Sequence, residues 1–338
     1  MIIRAAQQRW PRQASQGRYF AYMLASDGRL AHHEGSRTGP DPKTPARATS
    51  RSVARTAALV VALAAATGTW LVWWAMVTTW PGQRVEERVF ETADRFQDVV
   101  NRVVEPVLLL GSPPWLVVGL LVVCGLGLVR RRWGATGMAA VVIIGSNLTT
   151  QVIKDGVFFR TGLVGDWNRD INTLPSGHVT VLAAAWAALL FVAPRRWRPP
   201  TALAGAVATC AMGLATVADR WHRPSDVVAA VLVVVAWAAV VCALTPARWA
   251  DRPDDDSPAR SGAATGMVAA LLGVIAVPAA ALSVLAAAAT EGRAWAGLPW
   301  DGGLTAYAGG LLAACAISAA AFAVLLPLRQ ATARPGVA

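Results

Sequence analysis

The chain has 338 residues, 55% of them hydrophobic and only 15% charged, with a mean hydropathy of +0.44. That composition excludes an ordinary soluble globular domain and places the chain in a bilayer. The formal net charge of +11 does not point to nucleic acid, because the Lys and Arg residues alternate with apolar runs instead of forming one basic face.

Residues 1–55 carry ten Lys or Arg against three acids and contain no apolar signal-peptide core. Their Arg, Gln, Ser, Gly and Pro content buries too little surface to fold, so a disordered basic cytoplasmic tail is expected. Crossing about 30 Å of hydrocarbon takes about 20 apolar residues. Eight runs qualify, at roughly 56–80, 107–129, 134–153, 178–194, 201–219, 225–245, 263–289 and 304–327. The expected fold is therefore all-α, a polytopic membrane helical bundle.

Between the first two runs, Val85, Val89, Phe90, Phe96, Val99, Val100 and Val103 fall largely on one side of a 3.6-residue period, with Arg, Glu and Asp on the other. A short helix over 84–105 is expected there, packed over the bundle or lying along the outer leaflet. Trp70, Trp73, Trp74 and Trp80 fit an aromatic belt at the end of the first run. In the third run Asn147, Gln151 and Lys154 share a helical face, the first two suited to interhelical hydrogen bonds. Basic clusters follow the second run (Arg130, Arg131, Arg132), the fourth (Arg195, Arg196, Arg198) and the sixth (Arg248, Arg252, Arg260). By the positive-inside rule these lie in the cytoplasm with both termini, and the loops 81–106, 154–177, 220–224 and 290–303 are extracytoplasmic.

Residues 246–262, with Asp254-Asp255-Asp256 and prolines, read as a cytoplasmic linker between a six-span core, 56–245, and two additional helices, 263–327, followed by a tail, 328–338. Those last spans are rich in small residues and almost uncharged, which suits close helix packing. Cys124, Cys210, Cys242 and Cys315 are single and intramembrane, so their spacing indicates packing and not a disulfide or metal site. No other cluster has metal-ligand spacing, and neither a cofactor nor a metal is expected.

The chemistry is concentrated at one side of the membrane. Lys154 ends the third run and Arg160 follows it; Pro175-Ser176-Gly177-His178 opens the fourth; His222 and Asp226 open the sixth. Lys and Arg supply donors that match phosphate oxygens. Ser176 is placed to cap a helix whose first N–H groups, at Gly177 and His178, favour an anion. Two imidazoles can divide nucleophilic and general-acid roles, and the i, i+4 spacing lets Asp226 hold His222 on one helical face. Trp221 and Arg223 read as interfacial anchors, and Asp166, Arg169 and Asp170 as a solvated loop.

Taken together, Lys154-DGVFF-Arg160-Thr161, PSGH at 175–178 and ATVADRW-His222-RPS-Asp226 resemble the three motifs of the type 2 phosphatidate phosphatase superfamily, which includes lipid phosphate phosphatases, isoprenyl diphosphate phosphatases and vanadium haloperoxidases. The resemblance covers about 50–245 and makes the six-span core phosphatase-like. It implies that His222 is the nucleophile, forming a phosphohistidine, that Asp226 orients it and that His178 protonates the leaving group. Lys154, Arg160, Ser176 and Gly177 would form the phosphate cradle. Two positions depart from the pattern: Thr161 stands in place of proline, and Thr216 in place of the third motif's arginine. Arg220, one helical turn on, is the candidate substitute.

The activity so implied is metal-independent hydrolysis of a lipid phosphate or diphosphate, a polyprenyl diphosphate or a phosphatidate, at the outer leaflet of the cell membrane. The partners would be that substrate and membrane lipids, with no nucleic acid. The competing readings are a non-catalytic lipid-phosphate binder or transporter using the same anion pocket, and a vanadate-dependent haloperoxidase, whose relatives are soluble.

Overall fold

The apolar runs fold into long helices because their backbone N–H and C=O groups have no other partner in hydrocarbon. The computed structural model describes residues 44–96, 104, 106–109, 113–164, 172–246, 249, 251, 258–290 and 302–333. The expected N-terminal tail up to residue 43, Asp166, Arg169 and Asp170, the end of the 84–105 segment and the last five residues lie outside these.

In chain order the helices are α1 (Thr44–Val72, extended by a π-helical turn, Trp73–Val77), α2 (Trp80–Asp94), α3 (Pro113–Val129), α4 (Trp133–Gly156), α5 (Gly177–Val192), α6 (Arg198–Ala218), α7 (Pro224–Leu244), α8 (Pro258–Thr290) and α9 (Gly302–Thr332). Six of the described helices are long and apolar enough to cross a membrane, and Val117–Val129 and Gly177–Val192 are shorter apolar helices. The chain is a polytopic helical bundle.

Helices α5 and α7 are apolar all round and form the centre, each packed against α4 and against the other. Small residues bring the helices close: Ala184, Ala187, Ala230 and Ala239 are fully buried. Two side-chain bonds add specificity, Thr150 Oγ1 to Thr180 Oγ1 at 3.0 Å between α4 and α5, and Trp237 Nε1 donating to Thr149 Oγ1 at 2.9 Å between α7 and α4. Asn147 bonds back to its own helix, Nδ2 to the Ile143 carbonyl at 2.9 Å. On the outside, Leu63 of α1 and Val274, Val277 and Val284 of α8 are each at least 70% exposed, an apolar surface suited to lipid.

The two ends of the bundle differ chemically. At one end Arg132, Arg198 and Arg329 converge on the last turn of α5: Arg198 Nε donates to the Leu190 carbonyl at 3.1 Å, Arg329 Nη2 to Phe191 at 3.4 Å and Arg132 Nη1 to Val192 at 3.5 Å. A helix C-terminus leaves these carbonyls unpaired and carries the negative end of the dipole, so cations belong there. Asp251 neutralises the group. Its oxygens take both Nη atoms of Arg198 at 2.8 Å and one of Arg132, and Arg329 lies 4.0 Å away. Burial pushes the Asp251 carboxyl up, but Arg198, Arg329 and Arg132 outweigh it and hold the carboxyl below its ordinary range.

This cluster reaches into the expected linker. Asp251 is 2% exposed, its amide bonds the Ala333 carbonyl at 2.9 Å, and Trp249 covers Gly134, so these two residues are part of the packed end. The two C-terminal helices are likewise integrated. Helix α9 packs on α6, α7 and α2. A Cβ on Gly310 would stand 2.7 Å from Pro224 and 3.4 Å from Val89, so only glycine allows this approach to the first turn of α7. Cys210 of α6 and Cys315 of α9, unrelated by spacing, meet with their sulfurs 3.1 Å apart.

Candidate active site

The opposite end gathers the motifs. Helix α5 starts where Ser176 Oγ accepts the amide of Val179 at 3.4 Å, the N-cap expected of that serine, and the Ser176 amide donates to the Asp226 carbonyl at 3.0 Å. Asn172 Nδ2 donates to the carbonyls of Lys154 at 3.3 Å and Leu174 at 2.9 Å, tying the end of α4 to the segment before PSGH.

Helix α6 ends in a Schellman motif: the Trp221 amide donates to the Thr216 carbonyl at 3.0 Å and the Arg220 amide to Val217 at 3.2 Å, with Arg220 in the left-handed region at φ 58°. The His222 amide also reaches Thr216, at 3.0 Å. This turn sets His222 outside a helix, because α7 begins only at Pro224. The His222–Asp226 contact is therefore not made along one helical face, as the spacing suggests, but across the helix start. Asp226, third residue of α7, folds back so that Oδ2 accepts the Arg223 amide at 3.0 Å and meets His222 Nδ1 at 3.1 Å.

With Nδ1 engaged by a buried carboxylate, the Nε2 edge of His222 is the one available to an electrophile. The rings of His178 and His222 stand 5.9 Å apart, centroid to centroid, tilted by 60°. His178 also lies against Trp221, 5.1 Å away, and within the electrostatic reach of Lys154. The two imidazoles are thus neighbours, beside a lysine and a helix N-terminus.

Around Asp226 runs a network that joins Arg160 and Arg223 to three side chains the sequence did not mark, Thr173, Glu86 and Ser225. Thr173 Oγ1 donates to Asp226 Oδ2 at 2.7 Å and accepts from Arg223 Nη1 at 3.2 Å. Arg223 Nε lies 3.8 Å from Glu86 Oε2, and its guanidinium sits 4.9 Å over the Phe90 ring. Arg223 is thus not the interfacial anchor expected of it; its side chain lies inward over α2. Arg160 donates from Nη1 and Nη2 to the same Glu86 oxygen at 3.3 and 3.2 Å, and Ser225 donates its hydroxyl to the other. Burial pushes the Glu86 carboxyl up, against the pull of Arg160 and Arg223.

Arg220, the candidate substitute for the third-motif arginine, is held by another partner in this structure. Helix α6 has already ended, so Arg220 is not on the face of Thr216, and its guanidinium pairs with Asp94 at the end of α2. The Asp94 side chain is 61% exposed, and such pairs contribute about 0–1 kcal/mol. Arg220→Ala is therefore expected to change kcat/KM for phosphate release by less than about fivefold, whereas loss of a phosphate-gripping arginine costs about 10-fold to 150-fold. Steady-state kinetics on the purified variant separates the two.

Comparison with known proteins agrees with the motifs. No curated protein and no solved structure matches the chain. A protein-family model does, described as the PAP2 superfamily, over residues 135–250, about a third of the chain. The match runs through α4 to α7 and contains Lys154, Arg160, PSGH, His222 and Asp226, while α1, α2, α3, α8 and α9 lie outside it. Residues 135–250 thus match the model of the PAP2 superfamily, and this match supports a phosphatase-type activity on phosphate esters.

Proposed function

We propose that the protein removes phosphate from a lipid phosphate or diphosphate at the outer leaflet, through a phosphohistidine on His222. The observation that carries this reading is the pair of neighbouring imidazoles, one of them held through Nδ1 by Asp226. His222 Nε2 attacks phosphorus as the bond to the lipid oxygen breaks, and His178 gives that oxygen its proton. His178, now basic, takes a proton from water, which attacks the phosphohistidine, releases inorganic phosphate and restores His222. Lys154 and the amides of Gly177 and His178 stabilise the charge that builds on the phosphoryl oxygens, and Arg160 grips the phosphate throughout.

The lipid half of the proposal draws on an apolar groove of about 650 Å³ between α1, α4 and α7, whose walls include Leu63, Trp70 and Trp237. Its lining also includes Ile153, beside Lys154, and Val157 and Phe158, which precede Arg160, so a chain lying in it has its polar end near the cationic groups. Polyprenyl diphosphates, phosphatidate and phosphatidylglycerol phosphate all have this form. The arginine cluster at the opposite end supports placing the site outside.

Two measurements test the proposal. Purified protein in detergent, offered a panel of these lipids, should release inorganic phosphate, unaffected by EDTA and inhibited by vanadate, which mimics five-coordinate phosphorus. Saturable binding of the panel without any phosphate release would favour the non-catalytic binder, and turnover lost in EDTA and restored by magnesium would exclude this mechanism. In intact cells a cysteine at Asp155 should react with an impermeant thiol reagent and one at Arg196 should not; the reverse pattern would move the site to the cytoplasm.

A further inference from the structure

Helix α2 lies outside the family match, yet it reaches the motif-one arginine through two side chains three residues apart on one face, Gln83 and Glu86. Gln83 is 3% exposed, and its amide is used three times. Nε2 donates to the carbonyls of Val77 at 2.7 Å and Thr161 at 2.5 Å, and Oε1 accepts the amide of Leu163 at 2.9 Å. These bonds hold the chain just after Arg160. Just before it, Trp73 stacks on Phe158 with ring centroids 4.7 Å apart and donates Nε1 to the Phe159 carbonyl at 3.1 Å. Thr161 occupies the place of a proline in the motif this segment resembles, so the stiffness that a fixed φ would give comes here from outside the loop.

Glu86 then takes the side chain. Its carboxylate is completely buried, and both terminal nitrogens of Arg160 point at one oxygen. A guanidinium has five N–H donors in a rigid plane, so a carboxylate that uses two of them orients the rest. The corner that delivers Glu86 is itself tightly built: the Thr79 hydroxyl caps α2 at the Gly82 amide, 3.2 Å away, and a Cβ on Gly82 would collide with the Ala75 carbonyl.

We propose that Gln83 and Glu86 are positioning residues for the phosphate site, Gln83 fixing the backbone beside Arg160 and Glu86 holding its guanidinium so that the remaining donors meet the phosphoryl group. The inference rests on the phosphatase reading above. It gives α2 a part in the reaction that lies beyond the matched family segment.

The test is steady-state kinetics on Glu86→Gln and Gln83→Ala in detergent, with a short-chain phosphatidate and a prenyl diphosphate as probes. Arg160 grips phosphate in ground and transition states alike, so its misplacement falls on KM. Each variant should raise KM by about tenfold, the scale of one charge-assisted hydrogen bond, with kcat changed less. In an Arg160→Ala background neither substitution should have further effect, because the residue through which they act is gone. A merely structural role would lower kcat through the folded fraction and leave KM unchanged, which overturns the proposal. So does a fall in KM for Glu86→Gln, since that would make the carboxylate a competitor of phosphate, and so do effects that persist in the Arg160→Ala background. Absence of phosphate release from the wild type, or full activity in His222→Ala, would bring down the phosphatase reading and this inference together; a normal wild type and an inactive His222→Ala with unchanged KM in the α2 variants would refute only the inference.

Discussion

His222→Ala is expected to release no measurable phosphate, a fall on the order of 10⁴-fold or more, because a covalent mechanism has no route around its nucleophile. The variant should remain folded. The side chain meets Asp226 through Nδ1, while the turn that places it is made by the backbone to Thr216. Asp226 tests the second half of the argument. Asp226→Asn keeps an oxygen to accept the Arg223 amide but removes the charge that faces His222 Nδ1, so the helix start survives while the imidazole loses its orientation and the partner of its positive form. A loss of about 10²–10⁴-fold with residual turnover is expected, by analogy with aspartates that orient catalytic histidines elsewhere. Rapid quenching of wild-type protein with radiolabelled substrate should trap acid-labile, base-stable phosphate on the chain, and His222→Ala should trap none. Wild-type rates in His222→Ala would end the mechanism.

The eight apolar runs, the alternation of basic loops and the two histidine motifs are all legible in the sequence, because each rests on a local pattern: length against bilayer thickness, charge against topology, or a few residues at a helix mouth. What escaped was set by tertiary contact. Glu86 was assigned to the polar side of its helix along with its charged neighbours, yet it stands three residues before Val89 and four before Phe90, on the apolar face, where a carboxylate is a signal in itself. Gln83 lies one turn earlier on that face. Arg223 was discounted because an arginine at a span mouth commonly anchors to the interface; only the fold of the α6–α7 turn shows it meeting Thr173 and lying over Phe90. The expectation that Arg220 would replace the missing arginine assumed a helix continuing past Thr216, and the Schellman turn two residues after it removes that premise. The packing of α9 against the core was hidden for a different reason: glycine and alanine stripes permit close approach without saying to what.

The second large effect belongs to the other end of the molecule. Asp251 is the only carboxylate at which Arg132, Arg198 and Arg329 meet among the described residues, and its side chain is fully buried. Asp251→Ala leaves Arg198, itself completely buried, without its counter-charge, and removing one partner of a buried ion pair typically costs about 3–5 kcal/mol. The midpoint of thermal denaturation in detergent should fall sharply, and Asp251→Asn, which keeps two hydrogen-bonding atoms, should fall less. The pH dependence has a definite sign. Because the folded carboxyl is held below its ordinary range, its contribution is complete above the unfolded value near 3.9 and disappears as pH falls through the folded value, so wild type should lose stability at acid pH while Asp251→Asn should not share that part of the loss. The cluster joins the start of α4, the end of α5, the start of α6 and the end of α9, none of which touches the histidines. Its loss should therefore lower the amount of folded protein with KM unaltered, and a raised KM in Asp251→Asn would show that the two ends of the bundle are coupled.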